Sequence, residues 1–470
     1  MAFPFARTIE RIWTRPAAPA RVRAFEAAAG GRRWSANPSF GRTGPETLAA
    51  AGPLRSRARF FYANNGWAQN GVNALVTGLT GTGITPSAQH LDPAVRTEIG
   101  AAFAQWAKVA DVECRTSLWG LMSAAVRAMI ADGEAFLIFE DHPEGLRLRL
   151  VPAEMCDESD TVEHANGTYS VAGVHFDAQG RRTGYRFLKS RPTEAFAYSG
   201  ETTIVPAEDV IHLFAPLAAG QVRGTSWLAP ILLRLAEIDG LEDALLVGAK
   251  TAALFAGFLV DQNNSGGDPF DGEALPSLEP GTLQRLPGGF DIRFSTPQQA
   301  QQTAEFVGHQ IRAVSAGLGV PAHLVSNDLR EASYGSLRAG MIAFKQRLAQ
   351  IQFDTIIPQM CDPIFARSVT SLVLRGEIAA PDFEADPAAY LSAEHYPPPM
   401  PWLDPAKDAD ATATMLSLGL LSRRQAVAEL GYNVETLDAE IAADRKREAE
   451  LGLSFGAPPK AERPGEKTDA

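Results

Sequence analysis

The sequence predicts an α+β fold with a β-rich centre between two groups of helices. Residues 134–215 are predicted to form a succession of short strands, because apolar and polar residues alternate at period two in segments such as LRLRLV at 146–151. On both sides of this stretch, apolar residues recur at helical spacing. Strands and helices that are segregated in this way indicate an α+β arrangement.

The N-terminal residues 1–58 are predicted to form a basic, irregular arm. They are rich in Ala, Arg, Pro and Gly, and a short amphipathic helix is expected only near 6–13. The first 60 residues hold eleven arginines and three glutamates, a net charge of +8, so the rest of the chain must carry −20 to give the formal total of −12. Two interpretations stay open: a disordered, solvated segment, or an arm that docks on nucleic acid or an acidic partner.

Helical spacing and turn residues predict the remaining elements in order. The turn Asp132-Gly133 leads into a hairpin whose strands are 134–139 and 146–151. Residues 381–405 contain seven prolines and short extended pieces. Residues 382–410 contain seven Asp or Glu residues and a single basic residue, Lys407. The predicted helices are 59–77, 93–112, 116–132, about 227–256, 298–317, about 335–357 with a further helix to 374, 406–418, one from Ser422, and 436–450.

Composition limits the class of protein. A chain of 470 residues suffices for roughly two to four domain-sized units. The three cysteines are far apart and match no zinc-site spacing, which argues for a reducing compartment. No apolar run approaches the roughly 18 residues that span a bilayer, and the N-terminus lacks a signal-peptide core, so a soluble cytosolic protein is expected.

Motifs of catalysis are missing from the sequence. There is no P-loop, no H-E-x-x-H, no G-x-S-x-G and no paired-cysteine site. Glu134, which follows the turn Asp132-Gly133, could act as a catalytic base or could simply be a turn residue. We therefore expect no enzyme, no catalytic residue, no cofactor and no metal. One acidic group has the chemistry to hold a divalent ion or to form a solvated loop, namely Asp157, Glu158, Asp160 and Glu163.

The stretch GQVRGTSWLAP at 220–230 places a single arginine, Arg223, between glycines ahead of an apolar helix. Thr225 or Ser226 is expected to cap that helix, and Pro230 suits its first turn. Three roles fit Arg223: it holds a phosphate, it pairs with a neighbouring subunit, or it shapes a turn.

Recurrent pieces in a fixed order show that the chain resembles the lambda family of tailed-phage portal proteins, from about residue 59 to 452. Their order and spacing carry the resemblance rather than any one of them. The pieces are GTGI (81–84), ADGEAFLIF (131–139), GVHFDAQGRRTGYRF (173–187), VPAEDVIHLFAPLAAGQVRGTSWLAPIL (205–232), LEPGTLQRLPGG (278–289), GLGVPAHLVSNDL (317–329), SYGSLRAG (333–340) and WLDPAKDADA (402–411).

The resemblance implies a portal fold and a conduit function. Twelve copies would form a ring at one capsid vertex, through which double-stranded DNA enters and leaves. The implied partners are the terminase large subunit, the major capsid or scaffold protein, and a head-completion or adaptor protein, with no membrane. Assembly would occur in the host bacterial cytoplasm, and the ring would stay in the virion. The alternative is a metal-dependent DNA-processing enzyme of a packaging system, which would need the 157–163 acids.

The family's parts can be placed along the chain as predictions. The arm is 1–58, the α+β wing is 59–345, the first stem helices are 346–378 and the clip is 379–405. The second stem helix and tunnel loop are 406–421, the crown helices are 422–452, and the tail 453–470 is expected to be disordered.

Ring assembly and DNA passage suggest site residues. Arg223 and Trp227 are candidates for the subunit interface, since an arginine on such a turn suits a bidentate pair with a neighbour's carboxylate. A pair within its own subunit is the open alternative for Arg223. The remaining candidates, for a repulsive tunnel wall and its constriction, are Asp404, Asp408, Asp410, Leu418, Gly419 and Leu420.

Overall fold

The structure is a computed structural model. It describes residues 41–189, 200–254, 258–261, 290–293, 300–330, 333–399, 402 and 404–453. The predicted helix near 6–13 and the tail from 454 lie outside these residues. The chain divides into two compact units, Met1–Glu46 and Thr47–Ala470.

The first two helices correct the predicted arm and the single helix expected at 59–77. Helix α1 spans Thr43–Asn64 and α2 spans Gly66–Thr80, so residues 43–58 are helical rather than irregular. Asn65 separates the helices, because its side chain accepts the Ala68 N–H at 2.9 Å and caps α2. Helix α1 buries Arg55, a residue type that sequence patterns assign to the surface.

The helices and strands of the central region agree with the predicted α+β arrangement. Strands β2 and β3 form the predicted hairpin, with Phe136 opposite Val151 and His142 opposite Gly145. The bounds are β1 Thr85–Ala88, α3 Pro93–Lys108, α4 Leu118–Ala131, β2 Ala135–His142, β3 Gly145–Val151, β4 Val162–Glu163, β5 Tyr169–Val171, β6 Val174–Phe176, β7 Arg182–Leu188, β8 Thr202–Pro206 and β9 Val210–Leu213.

Two antiparallel sheets organise this region. Strand β2 lies between β3 and β9, and strands β4 to β8 follow one another in a five-stranded meander. Because β9 returns to β2 after the meander, the end of β9 lies beside the start of β2. This return places the sequence after β9, including the 220–224 turn, next to the start of the hairpin.

A helix, a hairpin and a further helix follow. Helix α5 covers Leu232–Leu254 and starts just past Pro230, later than the predicted 227. Strands β10 (Phe258–Asp261) and β11 (Phe290–Arg293) pair antiparallel with each other. The helices that follow them are α6 Ala300–Leu318 and α7 Ala322–Ser326.

A nearly continuous helical rod replaces the predicted break between the helix at about 335–357 and the further helix to 374. Helix α8 (Tyr334–Ile351) passes through a π-helical segment (Gln352–Cys361) into α9 (Asp362–Leu374). Pro358 lies in the π-helical segment, whose wider turns accommodate a proline, and Pro363 lies in the first turn of α9, which needs no N–H.

The described part of the Pro-rich stretch at 381–405 packs on the preceding elements of the fold. Strand β12 (Ala393–Tyr396) pairs with β1, and Tyr390, His395 and Tyr396 are buried. The last elements are α10 Pro387–Leu391, α11 Pro405–Ser417, α12 Arg423–Glu429 and α13 Val434–Leu451.

Two apolar cores hold these elements together. The larger combines side chains of α2 to α5 with the π-helical segment and α9, and the smaller lies between β2 and the meander around Phe136, Val174 and Phe187. Within the described residues, no helix has both the length and the apolar character needed to cross a membrane.

Candidate functional site

Arg223 lies in a buried ion cluster of its own chain. Its Nη2 atom is 2.6 Å from Oε1 of Glu134, and its Nε atom is 2.9 Å from the same oxygen. The other guanidinium donors reach the backbone carbonyls of Ala172, Ala153 and, at 3.5 Å, Cys156. All five N–H donors therefore have partners inside the chain.

This geometry answers the question that the sequence left open. The side chain of Arg223 is 2% exposed, and none of its donors is left for a carboxylate of a neighbouring subunit. The interpretation as an intersubunit pair is therefore corrected in favour of the pair within its own subunit. The meander meets the 220–224 turn here, since Arg223 donates to the Ala172 carbonyl of the meander and also binds Glu134.

Glu134 has further partners. His212 lies with Nε2 2.9 Å from Oε2 of Glu134, and the Gly224 N–H donates to the same oxygen at 2.8 Å. Arg55 of α1 lies 3.6 Å from Glu134 and 2.7 Å from Glu158. We call Arg55, Glu134, Glu158, His212 and Arg223 the Glu134 cluster. It joins α1, the start of β2, the end of β9 and the 220–224 turn, which we call the basic turn.

The imidazole of His212 has a defined tautomer. Its ring is stacked between Phe136 and Phe214 at centroid distances of 4.4 Å and 4.5 Å. Nη1 of Arg182 lies 3.5 Å from Nδ1, and a guanidinium only donates. Nδ1 is therefore the acceptor, and Nε2 carries the proton given to Glu134.

The electrostatics keep Glu134 charged and His212 neutral. Burial alone would raise the pKa of Glu134, but the charge of Arg223 and the bond from His212 hold it well below its usual range. Burial lowers the pKa of His212 to about 4, although Glu134 opposes this shift. An enclosed, ion-paired carboxylate cannot reach a substrate, so the cluster is structural and Glu134 does not act as a base.

Two glycines let the chain segments meet at this cluster. Gly133 has φ of +101°, and a Cβ on Gly224 would lie 2.1 Å from the carbonyl oxygen of Gly133. Only residues without a side chain allow this approach. The same steric constraint thus explains why a glycine precedes Glu134 and a glycine follows Arg223.

The acids at 157–163 do not converge on a metal site. Glu158 pairs with Arg55, and Asp160 is bound by Ser170, His175 and Arg186. Among the residues that the structure describes, no three Asp, Glu, His or Cys side chains are grouped to hold a metal ion. The alternative enzyme function finds no support in this part of the chain.

The candidate tunnel acids have different surroundings. Asp404 caps α11 and lies 2.9 Å from Nζ of Lys407, and Asp408 lies 3.3 Å from Nη2 of Arg338. Asp410 is exposed on α11. Two of the three carboxylates are therefore partly neutralised by cations of their own chain, which the sequence did not reveal.

The candidate constriction is a helix end followed by a short connection. Gly419 has φ of +68° and terminates α11, and Leu418 and Leu420 are 66% and 74% exposed. Trp227 is partly buried against the larger core, and its backbone N–H donates to the Ile130 carbonyl. The roles of these residues at the constriction and at the interface stay predictions.

Sequence reasoning missed the partners that complete the cluster. Arg55 lies within the range predicted to be an irregular arm, and His212 is one of eight histidines in the sequence, none of which belongs to a motif. A signal existed only for His212, since a histidine inside the apolar strand VIHLF at 210–214 must find a polar partner or lose hydration.

Comparison with known proteins finds similar chains among phage portal proteins and in a gene transfer agent particle. A curated relative, "Probable portal protein" of Halomonas phage phiHAP-1, is 24% identical over 423 residues, which cover 85% of this chain and 81% of the relative. A chain in the neck of a native gene transfer agent particle, computed with C12 symmetry, matches with a TM-score of 0.45 and 15% identity over 86% of this chain and 98% of that one. An HK97-family phage portal protein from Corynebacterium diphtheriae matches with a TM-score of 0.30 and 13% identity over 74% and 95%.

The family comparison covers most of the chain. The profile described as "Phage portal protein, lambda family" matches residues 30–352, a span that contains the hairpin, the meander, the basic turn and the helix–hairpin–helix region. The chain therefore belongs to the lambda family of phage portal proteins.

Proposed function

We propose that twelve copies of the chain form a ring at one vertex of a phage or phage-derived capsid, with double-stranded DNA passing through its tunnel. The observation that carries this proposal is the family match over 30–352. The ring would dock the terminase large subunit during packaging, the major capsid or scaffold protein at the shell, and a head-completion or adaptor protein afterwards. It would act without catalysis, assemble in the host cytoplasm and stay in the virion.

The surface of the single chain supports assembly. Leu246 and Val247 of α5 are 54% and 61% exposed, and the leucines beside Gly419 are exposed as well. Large apolar side chains grouped in this way indicate contacts with other molecules. Such contacts are expected of a subunit that functions only within a ring.

The packing favours a new placement of the stem and clip. Residues 346–378, predicted to be stem helices, contribute Ile356, Met360 and Phe365 to the larger core, and residues 387–396 pack on β1. Helix α5 instead leaves the core after Ile238 and is followed by the β10–β11 hairpin and by α6. We propose α5 and α6 as the stem and the segment between them as the clip.

Electron microscopy of the purified chain tests the ring. Negative-stain class averages with a central hole, together with a mass near twelve subunits by mass photometry, are the expected result. A chain that stays monomeric and cleaves DNA in a Mg²⁺-dependent manner would overturn the proposal in favour of the enzyme.

Replacing residues 262–289 with a short Gly-Ser linker tests the placement of the clip. If this segment is the clip, rings should still form, but capture of the terminase large subunit should be lost. A matched replacement of residues 380–386 should leave capture unchanged. The opposite pattern would return the clip to 379–405.

A further inference from the structure

Arg347 of α8 is a partly buried cation for which its own chain supplies no anion. Among the residues that the structure describes, no carboxylate lies within ion-pairing distance of its guanidinium, and no acceptor receives a hydrogen bond from it. Burial lowers the pKa of Arg347, and no neighbouring charge opposes this shift. Because a guanidinium stays charged in proteins, Arg347 has lost part of its hydration without gaining a partner.

A single glycine makes room for this side chain. Gly319 follows the end of α6 with φ of +66°, and a Cβ at this position would overlap Nη1 of Arg347. Any other residue at 319 would therefore displace the guanidinium. The end of α6 carries a partial negative charge of about half an elementary charge, which favours a cation but does not neutralise it. The guanidinium thus has a defined position and retains the capacity to bind an anion.

The two segments that meet at Gly319 and Arg347 contain no acidic residue. Residues 306–327 and 332–353 include neither Asp nor Glu, although the chain has 55 acidic residues against 43 Lys and Arg. Arg312 lies two helical turns before Gly319 on α6, is exposed, and has no anionic partner in the described part of the chain. The surface around Arg347 is therefore electropositive on a chain that is acidic overall.

A carboxylate of a second copy fits this position better than a phosphate of DNA. A conduit that must release its DNA gains nothing from a cation that holds a phosphate. A ring places a copy of this acidic chain against each side of a subunit, and a guanidinium binds a carboxylate through two parallel hydrogen bonds. The donors of Arg347 are unbound, whereas those of Arg223 are all used within its own subunit.

We propose that Arg347 binds a carboxylate of the neighbouring copy and that this ion pair forms part of the ring interface. The inference rests on the proposed ring. It assigns to Arg347 the intersubunit role that the sequence suggested for Arg223. The contact is heterologous, because the arginine of one copy meets an acidic residue of the next.

Carbodiimide cross-linking of Arg347→Lys tests the contact and identifies the acid. The reagent joins an amine to a carboxylate only where the two are in contact. Rings assembled from a mixture of light and isotopically heavy chains should give a cross-link at position 347 that joins a light chain to a heavy one, and mass spectrometry of the second peptide locates the acidic residue. Arg423→Lys is the matched control, because Arg423 lies 2.6 Å from Asp438 of its own chain and should give links within one chain only. Assembled rings with no link at 347, or with links confined to one chain, would overturn the proposal.

Assembly measurements test the same contact without a reagent. Arg347→Ala should raise the concentration for half-assembly at least about tenfold. Gly319→Ala should weaken assembly as well, because the added Cβ displaces the guanidinium. Gly376→Ala is its control, since Gly376 has φ of +73° but no atom within 4 Å of the added Cβ, and it should assemble like the wild type. Mass photometry gives the assembly state, and circular dichroism melting shows whether each subunit is folded.

The other outcomes contradict the proposal in distinguishable ways. If Arg347→Ala assembles like the wild type but binds DNA more weakly and with a smaller salt dependence, the anion is a phosphate. If Arg347→Ala only lowers the melting temperature of the subunit, the arginine serves the end of α6 alone. A wild-type chain that never forms rings overturns the proposed function itself, and this contact with it.

Discussion

Arg223 and Glu134 lie 89 residues apart in the sequence and form a buried ion pair with Nη2 of Arg223 2.6 Å from Oε1 of Glu134. Neither side chain is more than 2% exposed. Burial of two charges is costly unless their hydrogen bonds are complete, and here backbone carbonyls, His212 and the Gly224 N–H complete them. The pair therefore fixes how the 220–224 turn meets the hairpin.

Removing Arg223 should destabilise the subunit itself. Arg223→Ala leaves Glu134 charged, buried and short of partners, and such losses cost about 3–5 kcal/mol. The double variant Arg223→Ala/Glu134→Ala should cost less than the sum of the two single variants, because the pair is coupled. Urea unfolding of the isolated subunit measures both.

An exposed ion pair provides the control for this experiment. Arg423 lies 2.6 Å from Asp438, and both side chains are about half exposed. Arg423→Ala should leave the free energy of unfolding almost unchanged, because solvent screens an exposed pair. If Arg223→Ala is as mild as this control, the cluster does not organise the fold.

Acid should destabilise the subunit in two stages. The pKa of His212 is about 4 in the folded chain and near 6.5 when unfolded. Between these values the unfolded state binds a proton that the native state does not bind. The free energy of unfolding therefore falls as pH falls, by about 3 kcal/mol in all. Glu134 has a depressed pKa, and its contribution is present above pH ~4.5 and lost below it.

Substitution of His212 separates these stages. His212→Gln should flatten the dependence of the urea midpoint on pH between about 6.5 and 4, whereas the exposed His164→Gln should not. An unchanged slope in His212→Gln would show that other groups cause the acid sensitivity.

The amount that sequence could predict differs between the fold and the site. Local periodicity predicted the existence of the hairpin and most helices, because these depend on neighbouring residues. The Glu134 cluster depends on side chains brought together from α1, β2, β9 and the basic turn, and no local pattern encodes such contacts. Arg223 could be recognised as unusual, but its partner could not be chosen until the return of β9 to β2 was known.

The close approach of two glycines predicts a large effect of one methyl group. Gly224→Ala places a Cβ 2.1 Å from the Gly133 carbonyl oxygen, so the turn must move and the cluster must open. Gly240→Ala, in α5 with no atom within 4 Å of the added Cβ, should instead stabilise by about 0.5–1 kcal/mol. Thermal melting compares the two variants. Equal melting temperatures would mean that the turn tolerates displacement.

Two truncations should distinguish the arm from the helix that follows it. Deleting residues 1–40 should leave both folding and ring formation intact. Deleting residues 1–58 removes Arg55 and the buried Ala51 and Ala58 of α1, and deprives Glu158 of its 2.7 Å partner, so the melting temperature should fall. Chromatography and melting curves compare the two proteins. Loss of rings on deletion of 1–40 would place the arm in the assembly.

A conduit for DNA must not bind tightly to the DNA that passes through it. Proteins that neutralise phosphates with Lys or Arg bind DNA tightly at low salt, so a tunnel wall should offer few such contacts. Asp404 and Asp408 already pair with Lys407 and Arg338, and replacing Asp404 also removes the cap of α11. Asp410 is the exposed acid of the three and gives the cleaner test.

Asp410→Lys should slow DNA packaging, and the slowing should be largest at low salt, where phosphate attraction is least screened. Twelve copies would repeat the new charge around the tunnel and multiply its effect. Asp410→Asn is the control, because it removes the carboxylate without adding a phosphate contact, and it should slow packaging much less. Packaging rates measured over a salt series compare the variants at equal ring concentration. If Asp410→Lys packages like the wild type at every salt concentration, Asp410 faces away from the DNA, and the acids of α11 serve an outer surface of the ring instead.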